Sequence, residues 1–164
     1  MVVARAEKGY ERHAWVLLIV VAIFDLIGAF IFLISPGTGL FGTAEEEAVT
    51  GGKWNELVLS NPEVVNIVVY AQRILGAFLL SLAVFIIAVA RKSFRRGEKW
   101  AWYASLVLPV SLGVRAATDI SFSFYSNLLV WMSLIMISLL GLLLPYRKFF
   151  PRRAHENVAG HDTP

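Results

Sequence analysis

Six polar side chains interrupt or border otherwise apolar stretches of the chain: Asp25, Gln72, Arg73, Arg115, Asp119 and Asn127. An ionisable group inside a membrane-spanning segment is costly to bury, so each is a functional candidate by default. At about 1.5 Å per helical residue, Asp25 lies roughly 16 Å above the start of its apolar stretch. Arg73 lies nine residues below the start of its own stretch, a similar depth by the same arithmetic. The matching depths predict an Asp25–Arg73 ion pair, which would remove most of the cost of each charge. Gln72 points to a neighbouring helix face and is placed to donate to a carbonyl or to Asp25.

A second cluster follows from spacing alone. Arg115 and Asp119 are four apart and share a helix face, with Thr118 and Asn127 flanking the next turn. Pro109 removes a backbone hydrogen bond and predicts a kink before Arg115. Together these residues predict a polar pocket in one half of a helical bundle. Asp25 and Arg73 would form its floor, with Arg115, Asp119 and Asn127 nearer its mouth. Such a pocket would bind a ligand or ion. The same residues would serve as interhelical glue, at about 0.6–2 kcal/mol per contact, or as a contact for a partner subunit.

Other chemistry lacks its residues. The histidines, His13, His155 and His161, fall outside the apolar stretches, and the chain has no cysteine. No pair of axial haem ligands, no copper or di-iron set and no thiolate metal site can be drawn from them. No lysine lies inside a stretch to form a Schiff base. There is no GxSxG, HExxH, P-loop or GxGxxG pattern. The sequence therefore points to a non-enzymatic protein with no metal and no cofactor. The run Ala44-Glu45-Glu46-Glu47-Ala48 reads as a solvated acidic face.

The elements that position these residues are apolar helices. Hydrophobic residues make up 57% of the 164-residue chain and charged residues 16%, well below the ~25% charge of a soluble domain. About 20 apolar residues cross a bilayer as a helix. Four stretches qualify, at about 14–34, 64–90, 100–118 and 124–145. The expected fold is all-α, a transmembrane bundle of four antiparallel helices occupying residues 1–150. Residues 151–164 are expected to form a polar, mobile cytoplasmic tail.

Charge orients the bundle. Twelve of the fifteen basic residues lie in the N-terminal segment, the 91–99 loop and the C-terminal tail. The 36–61 loop instead holds Glu45, Glu46, Glu47 and Glu56 against Lys53. The positive-inside rule places both termini in the cytoplasm of a multi-pass plasma-membrane protein. The basic residues would touch anionic lipid head groups rather than nucleic acid. Trp15, Trp100, Trp102 and Tyr146 fall at the cytoplasmic interface, where amphipathic rings anchor helices. Asn61-Pro62-Glu63 marks a helix start. Within the outer loop, residues 53–59 predict a short interfacial helix anchored by Trp54.

The run Arg95-Arg96-Gly97-Glu98-Lys99-Trp100-Ala101-Trp102, with Gln72-Arg73-Ile74-Leu75-Gly76 before it, resembles the inner hairpin of small four-span prokaryotic membrane proteins, including DoxX-like ones. The resemblance covers the second and third stretches and implies a four-helix bundle with little settled activity. The leading functional expectation is an accessory or interaction protein of a membrane complex, with a possible partner subunit. The alternative is a binder or transporter of a small ligand or lipid, using Asp25, Arg73, Arg115 and Asp119.

Overall fold

A computed structural model describes residues 9–34, 47, 53–125 and 127–150. Among these the chain is all-helical. Helix α1 spans Gly9–Ile34, α2 Trp54–Ser60, α3 Pro62–Val89, α4 Lys99–Ser105, α5 Val107–Ser121, α6 Leu128–Leu143 and α7 Tyr146–Phe149. Three helical runs are long and apolar enough to cross a membrane: His13–Ile34, Pro62–Phe94 and Leu128–Phe149.

The third expected span differs from its reading as one kinked helix. It is two helices, broken at Leu106. Pro109 has no N–H to give the carbonyl of Ser105, four residues earlier. The turn tightens there instead, with Leu106 N–H donating to the Tyr103 carbonyl. The fourth helix begins at Leu128 rather than near residue 124. Residues 122–125 form a turn in which Ser123 adopts a positive φ of 63°. The short helix expected over residues 53–59 is present as α2. Glu47 caps it, its Oε1 accepting from the Trp54 N–H at 3.0 Å. The expectations for residues 36–46, 48–52 and the 151–164 tail lie outside the described residues.

Helix α3 starts at Pro62 with Glu63 in its first turn, as its sequence predicts, but the Asn61 side chain makes no capping hydrogen bond. Its far end widens into a π-helical segment, Ala90–Phe94. Gly97 closes the turn with φ +77°, a conformation glycine alone takes without strain. The Gly97 and Glu98 N–H groups donate to the carbonyls of Phe94 and Ser93, satisfying the helix end.

Helix α1 is the centre of the arrangement. It packs against α3 on one side and α6 on the other, and α5 packs on α6. Leu18, Val21, Ile86, Leu108, Leu112 and Leu142 are fully buried between them. Antiparallel register between α1 and α3 is set at Gly76. A Cβ there would meet the Ala29 carbonyl at 3.1 Å and Leu33 Cγ at 3.0 Å. Only glycine lets the two backbones approach this closely.

The two ends of the bundle differ. At the end carrying Arg91–Lys99 and Arg147–Lys148, here the basic end, α4 packs against α3 and its π-segment. At the opposite, acidic end, α3 and α5 do not pack face to face, and a cleft lies between them.

Candidate functional site

The cleft holds a cavity of about 280 Å³. Helix α1 supplies Phe24, Asp25, Gly28 and Phe32, and α3 supplies Leu75 and Leu79. Across from them stand Val114, Arg115, Thr118 and Asp119 of α5, with Asn127 and Trp131 closing the end. The walls are mostly apolar, and the polar groups are Asp25 on α1 and Arg115, Thr118, Asp119 and Asn127 across from it.

Asp25 is almost fully buried, at 2% exposure. Its partner is Arg115, whose Nη1 lies 3.5 Å from Asp25 Oδ1. Helical side chains lean toward their own helix N-terminus, and α5 runs away from the basic end. The Arg115 stem therefore points down the bundle toward Asp25. Its guanidinium also lies 4.4 Å from the ring centroid of Trp131, a cation–π contact of about 0.5–2 kcal/mol. The same indole donates from Nε1 to Asp119 Oδ2 at 2.5 Å. Phe24 meets it edge-on, with centroids 6.3 Å apart and planes at 88°. Arg115 and Asp119, one helical turn apart, thus bracket a single tryptophan.

The predicted pocket exists, but its floor is corrected. Asp25 pairs with Arg115 rather than Arg73, and Arg73 is exposed and lines no part of the cavity. The physical reason is register. Gly76 sits opposite Ala29 and Leu33, so Arg73 falls level with the end of α1 near Ile34. Asp25 lies about 13 Å away along the bundle by the helical rise. Depth measured from the start of α3 does not match depth along α1, because α3 extends about three turns beyond the end of α1. Gln72 is buried at this same raised level, again outside the cavity. Arg115, Asp119 and Asn127 are brought together with Asp25 as expected.

Trp131 is a site residue that the sequence pattern does not single out. A signal was present. An indole N–H within an apolar helix requires an acceptor. Folding the 122–127 turn back on itself sets Trp131 opposite Asp119. Four of the five tryptophans lie at or beyond the ends of the apolar stretches, and Trp131 is the exception.

Of the expected interface anchors, Trp102 is the most constrained. Its Nε1 donates to the Leu142 carbonyl at 3.0 Å, and its ring meets Tyr103, Tyr146 and Phe150 edge-on. Trp15 receives the Arg95 guanidinium over its ring at 5.8 Å. Trp100 is half exposed and donates to Glu98 Oε2 at 2.6 Å. Among the described residues no group of three or more metal-ligating side chains gathers. Comparison of the chain with protein-family models, with curated proteins and with solved structures finds no match.

Proposed function

We propose that this chain is a multi-pass membrane protein that binds a small amphipathic molecule in the cleft between α3 and α5. In this reading the broken α4–α5 segment is a fourth crossing, antiparallel to its neighbours, and the basic end with both termini faces the cytoplasm. The positive-inside distribution supports that orientation. A cysteine in place of Lys53, exposed at the acidic end, is expected to react with an impermeant reagent on intact cells; reaction only after lysis would reverse the orientation.

The observation that carries the binding reading is the cavity itself. It combines apolar and aromatic walls with a few convergent polar groups, the usual composition of a small-molecule site. Tightly packed glue would leave no such space. Gly28 supplies the test. A Cβ at this position meets only Leu79 Cδ1, at 4.0 Å. A larger side chain there grows into the cavity without displacing backbone. Native mass spectrometry of gently extracted protein is expected to show a bound lipophile in the wild type and none in folded Gly28→Leu. A bare wild-type protein, or a lipophile retained by the variant, would overturn the reading.

A second reading, an accessory protein of a membrane complex, is favoured by the exposed side of α3. Asn66, Tyr70, Arg73, Ala77 and Ser81 form one exposed stripe there. The exposed side of α1 from Val16 through Val20, Ile23 and Ile27 to Phe30 is apolar. A partner bound through that stripe would be lost in Arg73→Glu and kept in Gly28→Leu.

A further inference from the structure

The correction at Arg73 changes the charge of the site. With Arg73 in the pocket, two acids and two arginines would cancel. The cavity instead holds two carboxylates, Asp25 and Asp119, against one guanidinium, Arg115. Its formal charge is one negative unit. Asp25 is the acid paired with Arg115, so the surplus falls at Asp119.

We infer that the cleft selects a compact lipophilic cation: an ammonium group, quaternary or protonated, on a small apolar body. The inference rests on the ligand-binding reading above and names the class of ligand. Three further observations carry it. An anionic ligand would add a third negative group to a site with one positive one, and in a low-dielectric cleft that repulsion is little screened. Phe24 and Phe32 line the cavity beside Trp131, whose ring already carries the Arg115 guanidinium, and aromatic rings attract cations through their negative faces. At the acidic end, Glu47, Glu56 and Glu63 stand against Lys53 and Arg73 among the described residues, a surplus of one negative charge that favours cations near the mouth. The volume, about 280 Å³, lies just below the common ~300–1,000 Å³ range of small-molecule sites. The body of the ligand is therefore short, nearer a phenyl ring than a full lipid.

The test uses three probes of one size on the full chain in maltoside micelles: phenyltrimethylammonium, its uncharged isostere tert-butylbenzene, and benzoate. Calorimetric titration, with empty micelles subtracted, is expected to show one site for phenyltrimethylammonium. Its affinity is expected to be about tenfold above that of tert-butylbenzene, the scale of one desolvated cation–π contact, with benzoate weaker than both. Asp119→Asn keeps an oxygen for the Trp131 N–H, so it tests charge without removing that hydrogen bond. It is expected to bring the cation down to the level of its isostere, and Gly28→Leu is expected to abolish binding of both. If no probe binds the wild type, the ligand-binding reading itself falls. If tert-butylbenzene or benzoate binds as well as the cation, and Gly28→Leu removes that binding, the site stands and the cation inference is overturned. Cation preference that survives Asp119→Asn, or cation binding that survives Gly28→Leu, also overturns it.

Discussion

The two ends of the bundle are built by different means. At the basic end the helices are locked by rings: Trp102 lies among Tyr103, Tyr146 and Phe150, and Phe94 meets Phe149 with centroids 4.7 Å apart. Its polar contacts are capping and rim interactions, such as Trp102 Nε1 on the Leu142 carbonyl and Lys148 Nζ on the Arg95 carbonyl. At the acidic end the helices diverge, and the link across the gap is polar. Asp25, Arg115, Trp131 and Asp119 form one connected chain of contacts around a cavity. Apolar packing closes a helix pair without regard to partner chemistry, whereas a charged network holds helices at a set spacing. The open half therefore depends on charge and the closed half on shape.

The sharpest way to break that contrast is to remove one charge. Arg115→Leu leaves Asp25 buried and alone, and is expected to destabilise the protein by about 3 kcal/mol. Adding Asp25→Asn should recover part of the loss, because no lone charge then remains. The measurement is unfolding in mixed micelles followed by circular dichroism. An Arg115→Leu variant as stable as the wild type would mean that the acidic end does not depend on its ion pair.

A shape change ranks next. Gly76→Ala places a methyl group against the Ala29 carbonyl and Leu33, and the backbone contact cannot give way. The expected loss is about 2 kcal/mol by the same unfolding assay, with α1 and α3 pushed apart. At the basic end, Trp102→Phe keeps most of the aromatic packing and loses the hydrogen bond to Leu142. The expected cost is about 1 kcal/mol, with ligand binding at the other end unchanged.

The smallest effect belongs to Glu98, in the turn at the basic end. Hydrogen bonds from Trp100 and Ser93 hold its carboxyl below the ordinary value of 4.5. A carboxylate lowered in this way adds stability above its ordinary value and loses it as pH falls through the lowered one. Trp100→Phe is expected to move the Glu98 titration, read by NMR, back up toward 4.5. An unmoved titration would show that the indole does not hold the carboxylate.

The helices themselves were legible in the sequence, because hydropathy and length alone mark them. Pro62 opens α3 and Gly97 closes the 95–98 turn where proline and glycine demand, although Asn61 makes no capping hydrogen bond. The break at Leu106 was legible only in part: Pro109 announces a missing hydrogen bond, but the carbonyl it abandons lies four residues back. The site was half legible. Arg115 and Asp119 share a face by spacing, and Asp25 stands out as a lone acid. Their assembly was not legible, because the register between α1 and α3 is set by a close approach at Gly76. A sequence shows that glycine but not what lies 3 Å from it. Trp131 was hidden for a related reason, since its role depends on an acid across a turn rather than on its own helix.

The contrast between an open acidic half and a closed basic half is tested most directly by thiol accessibility. The chain has no cysteine, so single replacements report without background. Leu75 lines the cavity and is 39% exposed, whereas Leu108 is buried in the closed core. With a small cationic methanethiosulfonate reagent, Leu75→Cys is expected to be modified readily and to be protected by phenyltrimethylammonium. Leu108→Cys should stay unmodified until the protein unfolds. Equal protection at both positions, or equal modification, would contradict that contrast.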